Sequence, residues 1–288
     1  MRRVRGRILL SQLLLSIALG AFVAYGLIPL VTGRSLPETL ALGVAGAIGY
    51  GSLFAFLQWP LRRSGSDFRG VLGPWPDRST VRWTLLTGAG LLALSVAATY
   101  ALFVPLSFVA PEFVSYWLFE DLPELFWTSG EYRWLGNALN LVLLVVMAPV
   151  VEELLFRGLL LPAWTVRMGQ SAAVVLSSLA FALLHVDWLG SFIFSAVLSV
   201  VFLRTGRLWL PILIHAANNA LVWVLNIAGL ALGWQWSNTL EDLQNTWWYG
   251  PIALAVGLPL LIALLRRIPA RQEPRGQTSA PRTVLESA

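Results

Sequence analysis

Five ionisable side chains lie inside long apolar stretches of this chain: Glu152, Glu153, Arg157, His185 and His215. The first three fall in "MAPVVEELLFRGLLL"; the two histidines, the only ones in the chain, fall in "AFALLHVDW" and "PILIHAANNAL". A charge or imidazole surrounded by hydrocarbon is costly, so in a membrane helix such groups turn inward and mark a functional site by default. A lone histidine on an apolar face is more often a satisfied structural residue than a catalyst. Five such groups together favour chemistry over packing.

Helix geometry divides the five into roles. Successive residues stand about 100° apart around the axis, so Glu152 and Glu153 face different directions. Arg157 lies four residues beyond Glu153 on the same face, which suits an ion pair and leaves Glu152 as the freer carboxylate. If the chain turns near Gly169, Glu152 lies seventeen residues before the turn and His185 sixteen after it. At about 1.5 Å per residue the two reach nearly the same depth. His215 and Asn219 share a helix face, with Asn218 adjacent and Asn226 two turns beyond Asn219. For the asparagines, hydrogen bonding between helices is the structural alternative.

A glutamate, two histidines and an asparagine in a dry pocket fit hydrolysis. Glu152 is the candidate general base, His185 helps to position water, and His215 and Asn219 donate to a developing oxyanion. The same groups could instead form a zinc site from Glu152, His185 and His215, with water as fourth ligand. No HExxH helix is present. The Asn219 amide suits an oxyanion donor better than a ligand, which favours a reaction without a cofactor and leaves zinc as the alternative.

The elements that must position these residues follow from composition. With 57% hydrophobic and 12% charged residues and a mean hydropathy of +0.70, the chain is far more apolar than a soluble domain, where the figures are about 45–50% and 25%. It contains no cysteine, which removes disulfides, thiolate nucleophiles and cysteine metal sites. Eight apolar segments run over about 8–31, 39–59, 83–109, 137–168, 171–187, 189–204, 208–232 and 249–265. The expected fold is therefore an all-α, polytopic bundle of about eight transmembrane helices, with the fifth and sixth short. The first segment is too long for a signal-peptide core and lacks a clear cleavage site, so it is expected to be an uncleaved span. Residues 1–267 are expected to form a single transmembrane domain with its catalytic core near 137–228. Residues 268–288, rich in Pro, Arg, Ser and Gln, are expected to be a disordered cytoplasmic tail. The aromatic 110–136 loop and "GWQWSNTLEDLQNTWWYG" are expected to cap the bundle at the interface.

All of the chain's 20 basic residues are arginine, and their placement gives the topology. Arg2, Arg3, Arg5 and Arg7 precede the first segment; Arg62, Arg63, Arg69, Arg78 and Arg82 follow the second; Arg204 and Arg207 follow the sixth; Arg266 and Arg267 follow the eighth. The alternate connections carry only Arg34 and Arg133. Positive loops stay inside, so both termini are expected in the cytoplasm. The same distribution accounts for the pI near 10.2 without nucleic acid as a partner.

"EELLFR" (152–157), "FALLH" (181–185) and "HAANN" (215–219) match in order the EExxxR, FxxxH and HxxxN motifs of the CAAX prenyl endopeptidase and bacteriocin-processing (CPBP) family of intramembrane proteases. The chain resembles that family over roughly 137–228. The resemblance implies an intramembrane endopeptidase in which Glu152 and His185 activate water, His215 and Asn219 stabilise the oxyanion, and Glu153 with Arg157 supports the site. It also implies membrane lipid and a membrane-associated or lipidated peptide as partners, and location in a bacterial or archaeal cell membrane. Two other readings compete: a catalytically silent scaffold or immunity protein, and a proton-coupled transporter. The intact motifs count against the first. No paired, repeated arrangement of broken helices supports the second.

The arginine pattern makes a direct prediction. A cysteine introduced into 233–248 will react with a membrane-impermeant thiol reagent in intact cells, and one in 268–288 only after the membrane is opened. The opposite labelling pattern would invert the topology.

Overall fold

The computed structural model describes residues 6–120, 132–233 and 239–267, and the expected disordered tail at 268–288 lies outside them. Eight apolar helices account for most of the described chain: α1 (Ile8–Thr32), α2 (Leu40–Arg63), α3 (Arg78–Val109), α4 (Arg133–Met168), α5 (Gln170–Ala182), α6 (Trp188–Thr205), α7 (Trp209–Leu232) and α8 (Tyr249–Leu265). Among the described residues there is no strand, and six of these helices are long and apolar enough to cross a membrane. The short helices are α5 and α8. The sixth segment, expected to be short, reaches 18 residues because Asp187 caps its start, accepting from the Gly190 N–H at 3.0 Å.

Burial follows the pattern of a membrane protein. Leu14, Ile17, Leu30, Leu86 and Val109 face outward, whereas Glu153 and Arg157 are 0% exposed and His215 is 3% exposed. Apolar side chains facing outward cost nothing in hydrocarbon, and the polar groups gather where partners exist. The protein is an integral membrane protein.

The connection between α2 and α3 carries two carboxylate caps. Asp67 accepts from the Gly70 N–H, and Asp77 accepts from the Thr80 N–H at 2.9 Å at the start of α3. The Thr80 backbone and hydroxyl donors hold the Asp77 carboxyl below its ordinary pKa. The interfacial caps expected from sequence are helical where described. Pro111–Ser115 and Leu240–Asn245 meet through Val114 and Leu243 over Phe103. Trp117 meets Trp188 at a tilt, with centroids 4.8 Å apart, and donates to the Val186 carbonyl, one residue from His185.

Proline placement shapes the helices around the site. A proline ring collides with the carbonyl four residues earlier and removes one helix hydrogen bond. In α1 and α4 the helix widens into π turns over Phe22–Leu27, Leu143–Met147 and Leu154–Leu160, which contain the residues four before Pro29, Pro149 and Pro162. Glu152 and Glu153 occupy the short α-helical stretch Ala148–Glu153 between the two π turns of α4. Each widened turn changes the helix phase, so α4 does not keep one continuous face.

Helix α3 is the organising element of one half of the bundle, packing against α6, α7 and α8. Its approach to α7 depends on Gly88, where a Cβ would lie 2.9 Å from both the Ile214 carbonyl oxygen and the Ala217 Cβ. These contacts flank His215. Close approach through small residues is how membrane helices pack without a hydrophobic driving force between them. Gly88→Ala should therefore cost about 1–3 kcal/mol by overpacking. It should lower the melting temperature in detergent. Gly51→Ala, where a Cβ meets nothing within 4 Å, serves as the control and should melt no lower than the wild type. Equal melting of the two variants would show that α3 and α7 are not tightly apposed.

Candidate active site

The site is assembled from α2, α4, α6 and α7 and from the turn after α5. Glu153 and Arg157 form the buried ion pair expected from their spacing, Arg157 Nη1 donating to Glu153 Oε1 at 2.8 Å. The pair has further partners that the spacing did not reveal. Arg157 Nη2 donates to the Ser195 carbonyl at 2.9 Å and hydroxyl at 2.8 Å, tying α4 to α6. Glu153 Oε1 also lies 2.9 Å from His215 Nδ1. A carboxylate accepts, so His215 carries a proton on Nδ1 and leaves Nε2 as its remaining polar atom. Glu153 therefore orients a candidate catalytic histidine in addition to pairing with Arg157.

Glu152 faces a different set of partners, as the angle between the two glutamates required. Tyr50 of α2 donates to Glu152 Oε1 at 2.6 Å. Glu152 Oε2 is buried, has no hydrogen-bond partner, and lies 4.0 Å from His185 Nε2. That distance is too long for a direct hydrogen bond, but a single water could contact both atoms. His185 is in the turn that follows α5, where its Nδ1 lies 2.8 Å from the Phe181 carbonyl oxygen. A carbonyl only accepts, so Nδ1 carries the proton and a neutral His185 presents the Nε2 lone pair toward Glu152. Glu152 and His185 thus face each other at one depth, as their near-equal separations from Gly169 require.

Phe181, fully buried, holds the polar groups in place. His185 stacks on it with centroids 4.3 Å apart, His215 meets it edge-on at 6.0 Å, and the Arg157 guanidinium lies 5.0 Å from its centroid. A cation over a ring face is attracted to the ring quadrupole, which compensates part of the lost hydration of Arg157. The aromatic residue of "FALLH" is thus the common contact of both histidines and the arginine.

On α7, Asn219 Nδ2 donates to the Leu144 carbonyl at 2.8 Å, and Asn218 Nδ2 donates to Asn219 Oδ1 at 3.2 Å. Leu144 lies in the first π turn of α4, where widening the helix disturbs the usual backbone pairing. Asn219 uses one amide hydrogen there and keeps a second. Asn226 bonds to the Val222 carbonyl of its own helix, in place of the interhelical bond weighed from sequence. Among the described residues no three His, Asp or Glu side chains converge to hold a metal. With His215 Nδ1 turned to Glu153, Nε2 is the atom His215 could offer to a metal or to a substrate.

Tyr50 is the site residue that sequence reasoning missed. A signal was present: Gly43, Gly46, Tyr50, Leu53 and Leu57 repeat at heptad spacing along α2, and a phenol in that apolar stripe requires a buried partner.

The fold and site define a polytopic helical membrane protein with an interior glutamate and histidine centre. Residues 134–221 match the family described as Type II CAAX prenyl endopeptidase Rce1-like, a segment running from the start of α4 into α7 and containing Glu152, Glu153, Arg157, His185, His215 and Asn219. The segment carrying the three motifs is thus Rce1-like, of the CAAX prenyl endopeptidase (CPBP) type. Over 96 residues, 32% of this chain, it is 26% identical to the "Putative membrane peptidase YdiL" of Bacillus subtilis (strain 168). The match spans 39% of that relative's length. No solved structure matches the chain.

Removing one partner of a buried ion pair typically costs about 3–5 kcal/mol, because the other charge stays buried and unpaired. Arg157→Ala should accordingly melt well below the wild type in detergent. Combining it with Glu153→Gln should lose less than the sum of the two single losses. An unchanged melting temperature for Arg157→Ala would mean that Glu153 does not depend on this pairing.

Proposed function

We propose that the protein is an intramembrane endopeptidase that hydrolyses a peptide bond of a membrane-associated substrate with water activated by Glu152 and His185. The observation that carries this reading is the unpartnered Glu152 Oε2 facing His185 Nε2 at 4.0 Å. A water between them gives one hydrogen to each acceptor, which turns its lone pairs toward the space where a peptide carbonyl would lie. As the water attacks, Glu152 takes its proton and later returns it to the leaving amine. Opposing charge develops on the carbonyl oxygen, where the second Asn219 amide hydrogen and a protonated His215 Nε2 are the available donors. Glu153 supports that His215 state by accepting from Nδ1, while Arg157 balances the Glu153 charge.

An apolar cavity of about 700 Å³ supports a membrane-bound substrate. Its walls include Leu9 and Leu13 of α1, Phe156 and Trp164 of α4, and Leu184 beside His185. None of Glu152, His185, His215 or Asn219 lines it, so it suits an apolar part of the substrate and not the scissile bond. A lipidated or membrane-embedded peptide has such a part. The preferred orientation places both termini in the cytoplasm, on the arginine distribution. No step is assigned to a metal, because the Asn219 amide beside His215 suits an oxyanion donor better than a ligand.

Purified protein should cleave members of a membrane-peptide library, and Glu152→Gln should reduce that rate by about 10²–10⁴-fold without lowering the melting temperature. Wild-type turnover by folded Glu152→Gln protein would overturn the assignment. Activity should also survive exhaustive chelation. Zinc that co-purifies at about one per chain, disappears in His185 and His215 variants and restores stripped wild-type protein would replace the metal-free reading with a zinc protease.

A further inference from the structure

We propose that Tyr50 is a positioning residue of the catalytic centre: its hydroxyl occupies Glu152 Oε1 and thereby leaves Oε2 as the oxygen that meets water. The inference rests on the role of Glu152 proposed above. It adds a residue on α2, outside the 134–221 segment that matches the family. A glutamate side chain has three rotatable bonds and two equivalent oxygens, so helix position alone does not fix which oxygen faces His185. A donor that holds one oxygen fixes the other.

Three observations support it. The Tyr50 hydroxyl lies 2.6 Å from Glu152 Oε1, a distance typical of a charge-assisted O–H···O⁻ bond. The second oxygen is buried and has no protein partner. Helix α2 is also seated on α4 by contacts that set its height: Cβ positions at Gly43 and Gly46 would lie 2.5 Å from Leu139 Cδ2 and 3.3 Å from Leu143 Cδ1. Tyr50 follows on the same stripe, with Leu53 and Leu57 buried beyond it. The phenol is therefore delivered to Glu152 by helix packing and not by a mobile loop. A tyrosine whose only task was to fill that stripe could be a phenylalanine.

The test removes the hydroxyl and keeps the ring. Using the library peptide that the wild type cleaves fastest, Tyr50→Phe should lower kcat by about 10–100-fold, the effect of a misplaced reacting group, with KM within about twofold. Its melting temperature should stay near that of the wild type, or the fall in kcat should exceed what partial unfolding explains. In a Glu152→Gln background the same substitution should have little further effect on residual activity. Replacing Tyr50 with 3,5-difluorotyrosine, which keeps the hydroxyl and changes its donor strength, should restore kcat relative to Tyr50→Phe and move the pH–rate profile. A purely structural tyrosine would not move that profile.

Two outcomes are separable. If Glu152→Gln abolishes cleavage and Tyr50→Phe turns over like the wild type, the Tyr50 proposal falls while the protease assignment stands. Glu152→Gln protein that cleaves normally overturns both. The contact can also be read without turnover. The infrared difference between wild type and Glu152→Gln isolates the Glu152 carboxylate bands, and Tyr50→Phe should shift them. Unshifted bands would overturn the proposal whether or not a substrate is cleaved.

Discussion

The structure depends on keeping two full charges inside a bundle that offers almost no water. Glu153 and Arg157 are both 0% exposed, and each isolated charge would be prohibitively costly in that environment. Their direct contact at 2.8 Å satisfies only part of the requirement. Further compensation comes from Ser195 on α6, from His215 on α7 and from the faces of Phe156 on α4 and Phe181 on α5. Four helices, α4, α5, α6 and α7, are thus held in register by the need to solvate one ion pair. The same contacts fix the rotation of α7 and the tautomer of His215.

The neighbouring carboxylate is organised by the opposite logic. Glu152 is given only one direct donor, Tyr50, and a histidine too far away to bond. One oxygen is left with unmet hydrogen-bonding capacity beside an imidazole acceptor. A buried unsatisfied carboxylate oxygen is expensive, and such expense is normally tolerated where a ligand or water completes the site. Two adjacent glutamates therefore have different partners: Glu153 is tied through Oε1 to Arg157 and His215, and Glu152 is held through Oε1 by Tyr50, with Oε2 facing His185.

The prolines of α4 link these two functions to backbone shape. A regular helix through Pro149 and Pro162 would clash with the preceding turns, and the chain answers with two π turns. One of them contains Leu144, whose carbonyl accepts from Asn219. Backbone irregularity in a membrane is tolerated only when the disturbed groups find partners within the protein. Asn219 is therefore both a candidate oxyanion donor and part of what allows α4 to widen beside the glutamates.

The sequence by itself determined the solvent, the helices and most of the site. Hydropathy locates eight apolar segments because a bilayer forces backbone hydrogen bonds into continuous helices, and scarce ionisable residues within them stand out. Four-residue spacing identified the Glu153 and Arg157 pair, and counting outward from Gly169 set Glu152 level with His185. Tertiary structure alone decided which helix from outside the motif segment reaches Glu152, that Glu153 also holds His215, and that Asn226 bonds within its own helix. Tyr50 and Glu152 are 102 residues apart, and no local period connects them. The π turns shift the phase of α4 on either side of the glutamates, so a regular 3.6-residue wheel cannot carry side-chain directions along its length. Those directions follow from how α2, α4 and α7 pack, which is set by close contacts such as Gly46 with Leu143 and Gly88 with Ile214 and Ala217.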